Sequence, residues 1–335
     1  MSAPAIDPWL LDHLICPAHR CALQLDGEDL RCSEGDSYPI VHGVPVMVRR
    51  DVRQTLWVAD ESLSMVDSYR AGTLVLTTQA PAGTAVDAAV QDLVAHTNGF
   101  LYQPLVNKLQ RYPIPRLRLP EAEAGDTLLD VGCGWGRWSI AAALKGYNPV
   151  GIDPSLRHAL AATRVCAQLG LSARFVVADA RYIPFVRETF DVGFSYSVLQ
   201  HFSKADARLA LQSMLSVLKP SGLCFVQMPN TFGIRSLFNQ AKRRFRAPDK
   251  FAVRYWTPAE LKRTFREIFG AAELSVDGFF GLGIQPNDID MLPPHYQVVV
   301  RCSEAMRRAT DSANWLLNVA DSLYVTATQR TVSAS

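Results

Sequence analysis

Three carboxylates and a set of alternating glycines are the residues of this 335-residue chain whose types and spacing could do chemistry. Asp130 stands inside the apolar run Leu128, Leu129 and Val131 and leads into Gly132, Cys133, Gly134 and Gly136. Without Cβ atoms, a backbone can close on a ligand there, and the carboxylate suits a cationic ligand better than a pyrophosphate. A dinucleotide fingerprint counted from Gly132 needs a small residue where Arg137 stands, so that match fails. Asp153 ends a second apolar run, placed to accept hydrogen bonds from both hydroxyls of a ribose. Asp179 ends a third, and its carboxylate can accept from an exocyclic adenine amine. His201, after a fourth run, is the first candidate for a base that takes a proton from a hydroxyl acceptor. The alternative for His201 is a histidine that orders its loop or contacts a bound cofactor. Tyr196 could bind the acceptor or wall a cation through its π face. His158 and His295 are less well placed.

These residues need elements that deliver them to one place. Leu128, Leu129 and Val131 read as a strand buried on both faces, and Ile140, Ala141 and Leu144 fall at helical spacing after the glycines. Residues 150–152 and 175–177 read as the next two strands, and 190–196 and 223–228 as the fourth and fifth. Pro154 is read as the first helical position after Asp153. Ser203 with Asp206 resembles a capping box, and Lys219-Pro220-Ser221-Gly222 closes that helix. Strand and helix alternate as a doubly wound parallel α/β sheet requires. Ligands of such sheets sit outside the carboxyl ends of the strands, which brings Asp130, Asp153, Asp179 and the loop 195–201 to one rim.

Taken as an ordered set, DVGCGWG, GIDPS, VADA, FDVGFSYSVLQHF and LKPSG closely resemble the class I S-adenosylmethionine-dependent methyltransferases over about residues 125–230. The resemblance implies a Rossmann-like sheet of seven strands and an enzyme that uses S-adenosyl-L-methionine. It also implies roles: Asp130, Gly132, Cys133, Gly134 and Gly136 at the methionine moiety, Asp153 and Pro154 at the ribose, Asp179 and Ala180 at the adenine, and Ser195 at the rim. Sheets of this family end in a strand pair whose last member is antiparallel. Leu274 and Val276, then Tyr324, Val325 and Ala327, are read as that pair, with a largely helical insertion at about 282–320 between them that would enclose an acceptor.

The N-terminal residues 1–50 are of another kind. Cys16-Pro17-Ala18-His19 and Cys32 sit in short strands and resemble the zinc-ribbon activator proteins of tRNA and rRNA methyltransferases. Cys16, His19 and Cys32 are three candidate zinc ligands, but Gly35 stands where the resemblance puts the fourth, so a fully bound zinc is not expected. Cys21, Asp36 or His42 could complete a distorted site, and the cysteines could instead pack as small hydrophobes. Residues 51–120 read as a helical linker or lid, with helices marked by Leu63, Val66 and Tyr69 and by Val86 to Leu93, and another begun by Leu101, Leu105, Val106 and Leu109. His96, Asn98 and Tyr102 are its candidates to lie over the cofactor. Residues 121–335 make up the large domain.

A net charge of +2 gives no global pull towards nucleic acid or anionic membrane. No apolar run is long enough for a bilayer span and no leader is evident; with seven cysteines, a reducing, cytoplasmic setting is expected. Locally, Arg235, Lys242, Arg243, Arg244, Arg246, Lys250 and Arg254 share a segment whose only acid is Asp249. Three functions follow in order: O-methylation of a small-molecule or glycan hydroxyl, methylation of RNA suggested by the ribbon and the basic segment, and a non-catalytic cofactor-binding partner. The basic segment reads as a solvated helix face, its long side chains covering apolar surface, or as a functional surface; of the functional readings a frame for a small acceptor, with weak binding of nucleic acid, is favoured.

Overall fold

A computed structural model describes residues 6–77, 85–248, 251–281 and 285–329. The first elements are α1 (Pro8–His13) and the strands β1 (Leu23–Asp26), β2 (Asp29–Cys32), β3 (Ser37–Val41) and β4 (Val44–Pro45), which form a four-stranded antiparallel meander. Helices α2 (Trp57–Arg70) and α3 (Ala88–Asn98) follow, and Gly99 at φ 110° ends α3. The helix expected from Leu101 onward is only a short 3-10 turn, Phe100–Leu105, because Pro104 inside it cannot donate to a longer ladder.

The large sheet contains β5 (Thr127–Val131), β6 (Asn148–Asp153), β7 (Arg174–Val177), β8 (Phe190–Tyr196), β9 (Leu218–Pro229), β10 (Gly270–Gly278) and β11 (Ser322–Gln329). Its order is β10-β11-β9-β8-β5-β6-β7. The neighbours from β9 to β7 pair in parallel, and β11 pairs antiparallel to both β9 and β10. The expected seven-stranded Rossmann-like sheet with an antiparallel last strand is what forms. Strands β5, β6 and β8 are apolar on both faces because helices cover both.

Connecting helices are α4 (Arg137–Ala143), α5 (Leu156–Leu169), α6 (Lys204–Val217), α7 (Ile234–Lys242) and α8 (Pro258–Phe269). Thr257 and Glu260 form a full capping box at α8, with Pro258 at its start. Two readings shift. Ser155, not Asp153, caps α5, so Pro154 lies before the helix instead of opening it. Strand β9 begins at Leu218, directly after α6 ends at Val217, so residues 219–222 form a bulge within it before pairing with β8 resumes at Leu223. The insertion between β10 and β11 carries α9 (Pro294–Ala309) and 3-10 turns on either side; residues 282–284 of it lie outside the described residues.

The small meander packs on the large sheet instead of standing apart. Leu10, Cys16, Leu30, Tyr38 and Met47 share one core with Leu129, Val131, Phe185 and Phe190. The chain leaving β4 pairs with β7 through Val46 and Val177, and Met47 donates to the Val177 carbonyl at 2.7 Å. The end of that edge strand is thereby paired. Among the described residues no helix is long and apolar enough to cross a membrane.

Candidate active site

Strands β5, β6, β7 and β8 run side by side in parallel, so Asp130, Asp153, Asp179 and Ser195 come to one edge of the sheet as their positions in sequence require. The glycine loop between β5 and α4 is tightly held. Gly132 has φ 78°, and a Cβ there would meet Val198 at 2.2 Å, so only glycine lets the rim of β8 approach. The amides of Gly132 and Cys133 both donate to the Ile152 carbonyl, and that of Gly136 to Cys133. Gly134 donates to Asp153 Oδ2 at 3.0 Å. The loop therefore braces the end of β6 as well as closing on the space above β5.

The three carboxylates differ in their surroundings. Asp130 is fully buried and accepts from the Ser139 hydroxyl at 2.7 Å. Burial, helped by the neighbouring Asp153 charge, pushes its pKa up to about 7, with Ser139 opposing. Asp153 accepts from the Ser155 amide at 2.9 Å, and its Oδ1 lies 3.2 Å from His158 Nδ1. Burial works against the His158 proton, but the Asp153 carboxylate outweighs it and raises the imidazole pKa. Asp179 is clamped by the guanidinium of Arg181, at 2.7 Å from Nη2 and 3.0 Å from Nε, and also accepts from the Arg181 amide. Ala180, next to it, opens a short 3-10 turn.

The other expected residues have contacts of their own within the protein. The Cys133 thiol is buried, packed over Gly151 and held neutral by burial, so its side chain belongs to the core. The Ser195 hydroxyl donates to the Val131 carbonyl at 2.9 Å, tying β8 to β5. Pro154 contributes its carbonyl, which accepts from Ser62 at 2.8 Å and anchors α2. His201 stacks on Phe251 with centroids 3.8 Å apart. Its Nδ1 lies 2.6 Å from the Phe251 carbonyl and so carries the proton, which leaves Nε2 to accept from Gln200 at 3.2 Å. Burial first, then the Arg254 charge, pushes its pKa down to about 4. His201 thus ties the loop after β8 to the segment 251–254, and both nitrogens are engaged. Tyr196 is buried against Trp138 and Tyr324; its hydroxyl donates to Asp277 at 2.9 Å and accepts from Gln285 at 3.3 Å. It fastens the insertion to the rim.

The lid candidates divide. Asn98 Oδ1 and Thr97 Oγ1 both accept from the Trp135 indole, at 3.2 and 3.1 Å, so the end of α3 lies over the glycine loop. Tyr102 is buried and donates to Asp288 of the insertion. His96 makes no comparable contact among the described residues.

One residue passed over in the sequence is central. Arg137, used there only to reject a dinucleotide fingerprint, is 3% exposed at the first position of α4. Its guanidinium lies 5.8 Å from the Tyr102 ring and 5.4 Å from that of Trp138. Its Nε and Nη2 have no hydrogen-bond partner among the described residues, and neither does Asp288 Oδ1. A buried cation with open donors is costly unless something pairs with it. The available signal was a charged side chain leading a helix whose next residues, Trp138, Ser139, Ile140, Ala141 and Ala142, are all buried.

Residues 128–222 match the methyltransferase domain family. This stretch resembles a methyltransferase domain. A ubiquinone biosynthesis O-methyltransferase of Rhizobium etli is 32% identical over 106 residues, 32% of this chain and 42% of that one. An uncharacterized methyltransferase of Mycolicibacterium vanbaalenii is 36% identical over 103 residues, 31% of this chain and 39% of that one. The chain thus spans about two fifths of the length of these curated relatives. Among solved structures, a SAM-dependent methyltransferase from Archaeoglobus fulgidus is similar at 17% identity and a TM-score of 0.42, over 61% of this chain and 86% of that one.

A second cluster lies in the small meander. Ligand atoms of Cys16, His19, Cys32 and Asp36 all fall within 4.8 Å of one another. Individual separations are 3.6 Å for Cys16–His19, 3.6 Å for Cys16–Asp36, 3.8 Å for Cys32–His19 and 3.2 Å for His19–Asp36. Tetrahedral zinc with such donors sets its ligands about 3.3–3.8 Å apart. Of the three residues named as able to complete the site, Asp36, one residue beyond Gly35, is the one that lies with the other three. His42 packs against Tyr69 instead, and Cys21 lies outside the cluster. All seven cysteines are free.

Proposed function

We propose that the chain binds S-adenosylmethionine at the rim of β5 to β8 and methylates a hydroxyl of a small molecule. Residues 51–120 then serve as a lid and the insertion at 282–320 as the wall of the acceptor site. The observation that carries this reading is the buried Arg137 with its unpaired guanidinium donors. An amino-acid end group has one carboxylate and one ammonium: Arg137 suits the first, and Asp130 with Asp288 Oδ1 suits the second. Asp153 would take the ribose and Asp179 with Ala180 the adenine. When bound, S-adenosylmethionine supplies an electrophilic methyl group to a nucleophilic acceptor. The chain's own share is orientation, worth roughly 7–11 kcal/mol over free encounter for well-aligned partners. His201 is in this reading a positioning residue rather than the base.

A small acceptor is favoured by the way the insertion is fastened down, through Tyr196, Asp277 and Gln285 on one side and Tyr102 with Asp288 on the other. The names of the ubiquinone biosynthesis relatives point the same way. In the N-terminal unit, the spacing of Cys16, His19, Cys32 and Asp36 supports a structural zinc. Docking of that unit on its own sheet edge argues against a free ribbon awaiting a partner protein. Calorimetry with adenosylhomocysteine and with NAD tests the cofactor, followed by transfer of a labelled methyl group to phenolic, glycan and RNA pools. Binding of NAD alone would overturn the assignment, and transfer to RNA alone would overturn the acceptor class.

A further inference from the structure

Helix α7 is turned inside out. Ile234, Leu237, Phe238 and Ala241 recur at helical spacing and make one apolar stripe, yet Ile234 is 50% exposed, Leu237 42% and Phe238 66%. The opposite face is polar and points inward. Ser236 is 2% exposed, and its amide donates to Asp321 at 2.8 Å. Gln240 donates to the Thr231 carbonyl at 2.8 Å. Gly233, which leads into the helix, lies so close to Asp321 that a Cβ would meet its Cα at 2.4 Å. The orientation is thus locked by specific polar contacts and close packing. An ordinary surface helix would show the reverse arrangement.

Cations follow the exposed stripe at the C-terminal end of the helix. Lys242, Arg244 and Arg246 are exposed and line a groove of about 450 Å³ directly after the helix, with Phe245, also exposed, between the two arginines. Arg243 is used internally, donating to the Val253 carbonyl at 2.9 Å and lying over the Tyr255 ring. Between Asn230 and Ala259 the sequence has one acid, Asp249, which with Lys250 lies outside the described residues. The segment also abuts the candidate active site. Phe251 stacks on His201, and the Arg254 amide donates to the Gln200 carbonyl at 2.8 Å.

We propose that this face, the apolar stripe of α7 with Phe245 and the flanking Lys242, Arg244 and Arg246, docks on the surface of an anionic lipid bilayer. Aliphatic and aromatic side chains side by side suit the boundary between headgroups and acyl chains, and the cations suit the lipid phosphates. An RNA surface would use stacking aromatics among the cations; Phe238 and Phe245 could stack, but aliphatic Ile234 and Leu237 share the stripe with them and have no plane to stack. The proposal does not depend on the methyltransferase reading, since it rests on a different face and is read by binding alone.

The test is co-sedimentation of the full chain with vesicles of phosphatidylcholine alone or with 30% phosphatidylglycerol (about, by choice of a strongly anionic surface). Binding is expected only to the anionic vesicles, weakening as salt is raised. Replacing Lys242, Arg244 and Arg246 together by Gln should weaken it on the order of 100-fold. Phe238→Ser with Leu237→Gln should remove most of the remainder. These side chains are exposed, and unchanged urea unfolding would show that the variants fold. No binding to anionic vesicles at low salt, or equal binding by the variants, would overturn the proposal. So would a dimer in light scattering that Phe238→Ser abolishes without any vesicle binding, or RNA binding tighter than vesicle binding and lost in the same variants.

Discussion

Replacing Asp130 by Asn probes the electrostatics of the site without changing its shape. In the folded chain Asp130 has a pKa of about 7, against ~3.9 for an unfolded aspartate. A carboxyl group raised in this way contributes stability that is fully present below the unfolded pKa and is lost as pH rises through the folded one. Ionised Asp130 therefore destabilises the ligand-free protein increasingly from about pH 4, levelling off above pH 7. Asn cannot ionise and can still accept from Ser139. Its extra N–H pair costs about 1–3 kcal/mol if left without a partner, but that cost does not vary with pH.

The difference in unfolding free energy, variant minus wild type, should consequently move in favour of the variant between pH 5 and pH 8. At about 1.4 kcal/mol per pH unit over the two units from 5 to 7, the change is about 3 kcal/mol. Urea unfolding of both proteins at pH 5, 6, 7 and 8 without cofactor measures it. Parallel stability curves, separated by the same amount at pH 5 and 8, would refute the raised pKa. Binding should show the opposite preference: wild-type affinity for adenosylhomocysteine falls below pH 7 as Asp130 takes up its proton, whereas the variant binds weakly with no such dependence.

Further outcomes concern the remaining groups. Arg137→Met should weaken adenosylhomocysteine binding by roughly 10- to 150-fold, the loss of a charge-assisted hydrogen bond, with Arg137→Lys recovering part of it in calorimetry. Wild-type protein should hold one zinc per chain by elemental analysis, and Asp36→Ala should lower that content and the unfolding temperature of the N-terminal unit. His201→Gln should reduce turnover while leaving the pH–rate profile between pH 5.5 and 8 unaltered, because the pKa of His201 lies near 4; loss of a limb near pH 6–7 in the variant would make His201 the base after all.

The sheet was legible because its signals are local and repeated. Each parallel strand is a short apolar run ending in a polar residue, and handedness rules leave few ways to order such runs. What escaped the sequence depends on contacts between distant segments. Arg181 stands two residues beyond Asp179, but only the folded turn shows that its guanidinium claims the carboxylate. Asp36 was one of three candidates for a fourth ligand; the turn after β2 brings it to Cys16 and His19, whereas Gly35 merely makes the turn with φ 96°. His201 looked poised at the rim because its position along the chain is right. Its engagement depends on the Phe251 carbonyl, fifty residues away. The inverted face of α7 was hidden for a related reason: periodicity shows that a stripe exists but not which way it points.

The three rim carboxylates gain a common logic from their partners. Asp179 is paired with Arg181, and Asp153 lies beside His158, whose proton it stabilises. Carboxylates compensated in this way can accept hydrogen bonds from neutral groups, such as sugar hydroxyls or an adenine amine, without leaving a bare charge in the interior. Asp130 has the neutral hydroxyl and amide of Ser139 and, as its smallest help, the Arg137 charge; its proton is the less readily lost for the negative charge of Asp153 nearby. It is therefore the carboxylate to which an incoming cation adds most, because the same burial that destabilises its ionised form strengthens its attraction to a positive ligand. Arg137 is the matching case of opposite sign, buried with donors left open. A ligand whose cationic and anionic ends lie together would relieve both costs at once, whereas a pyrophosphate would relieve only that of Arg137 and add to the charge around Asp130.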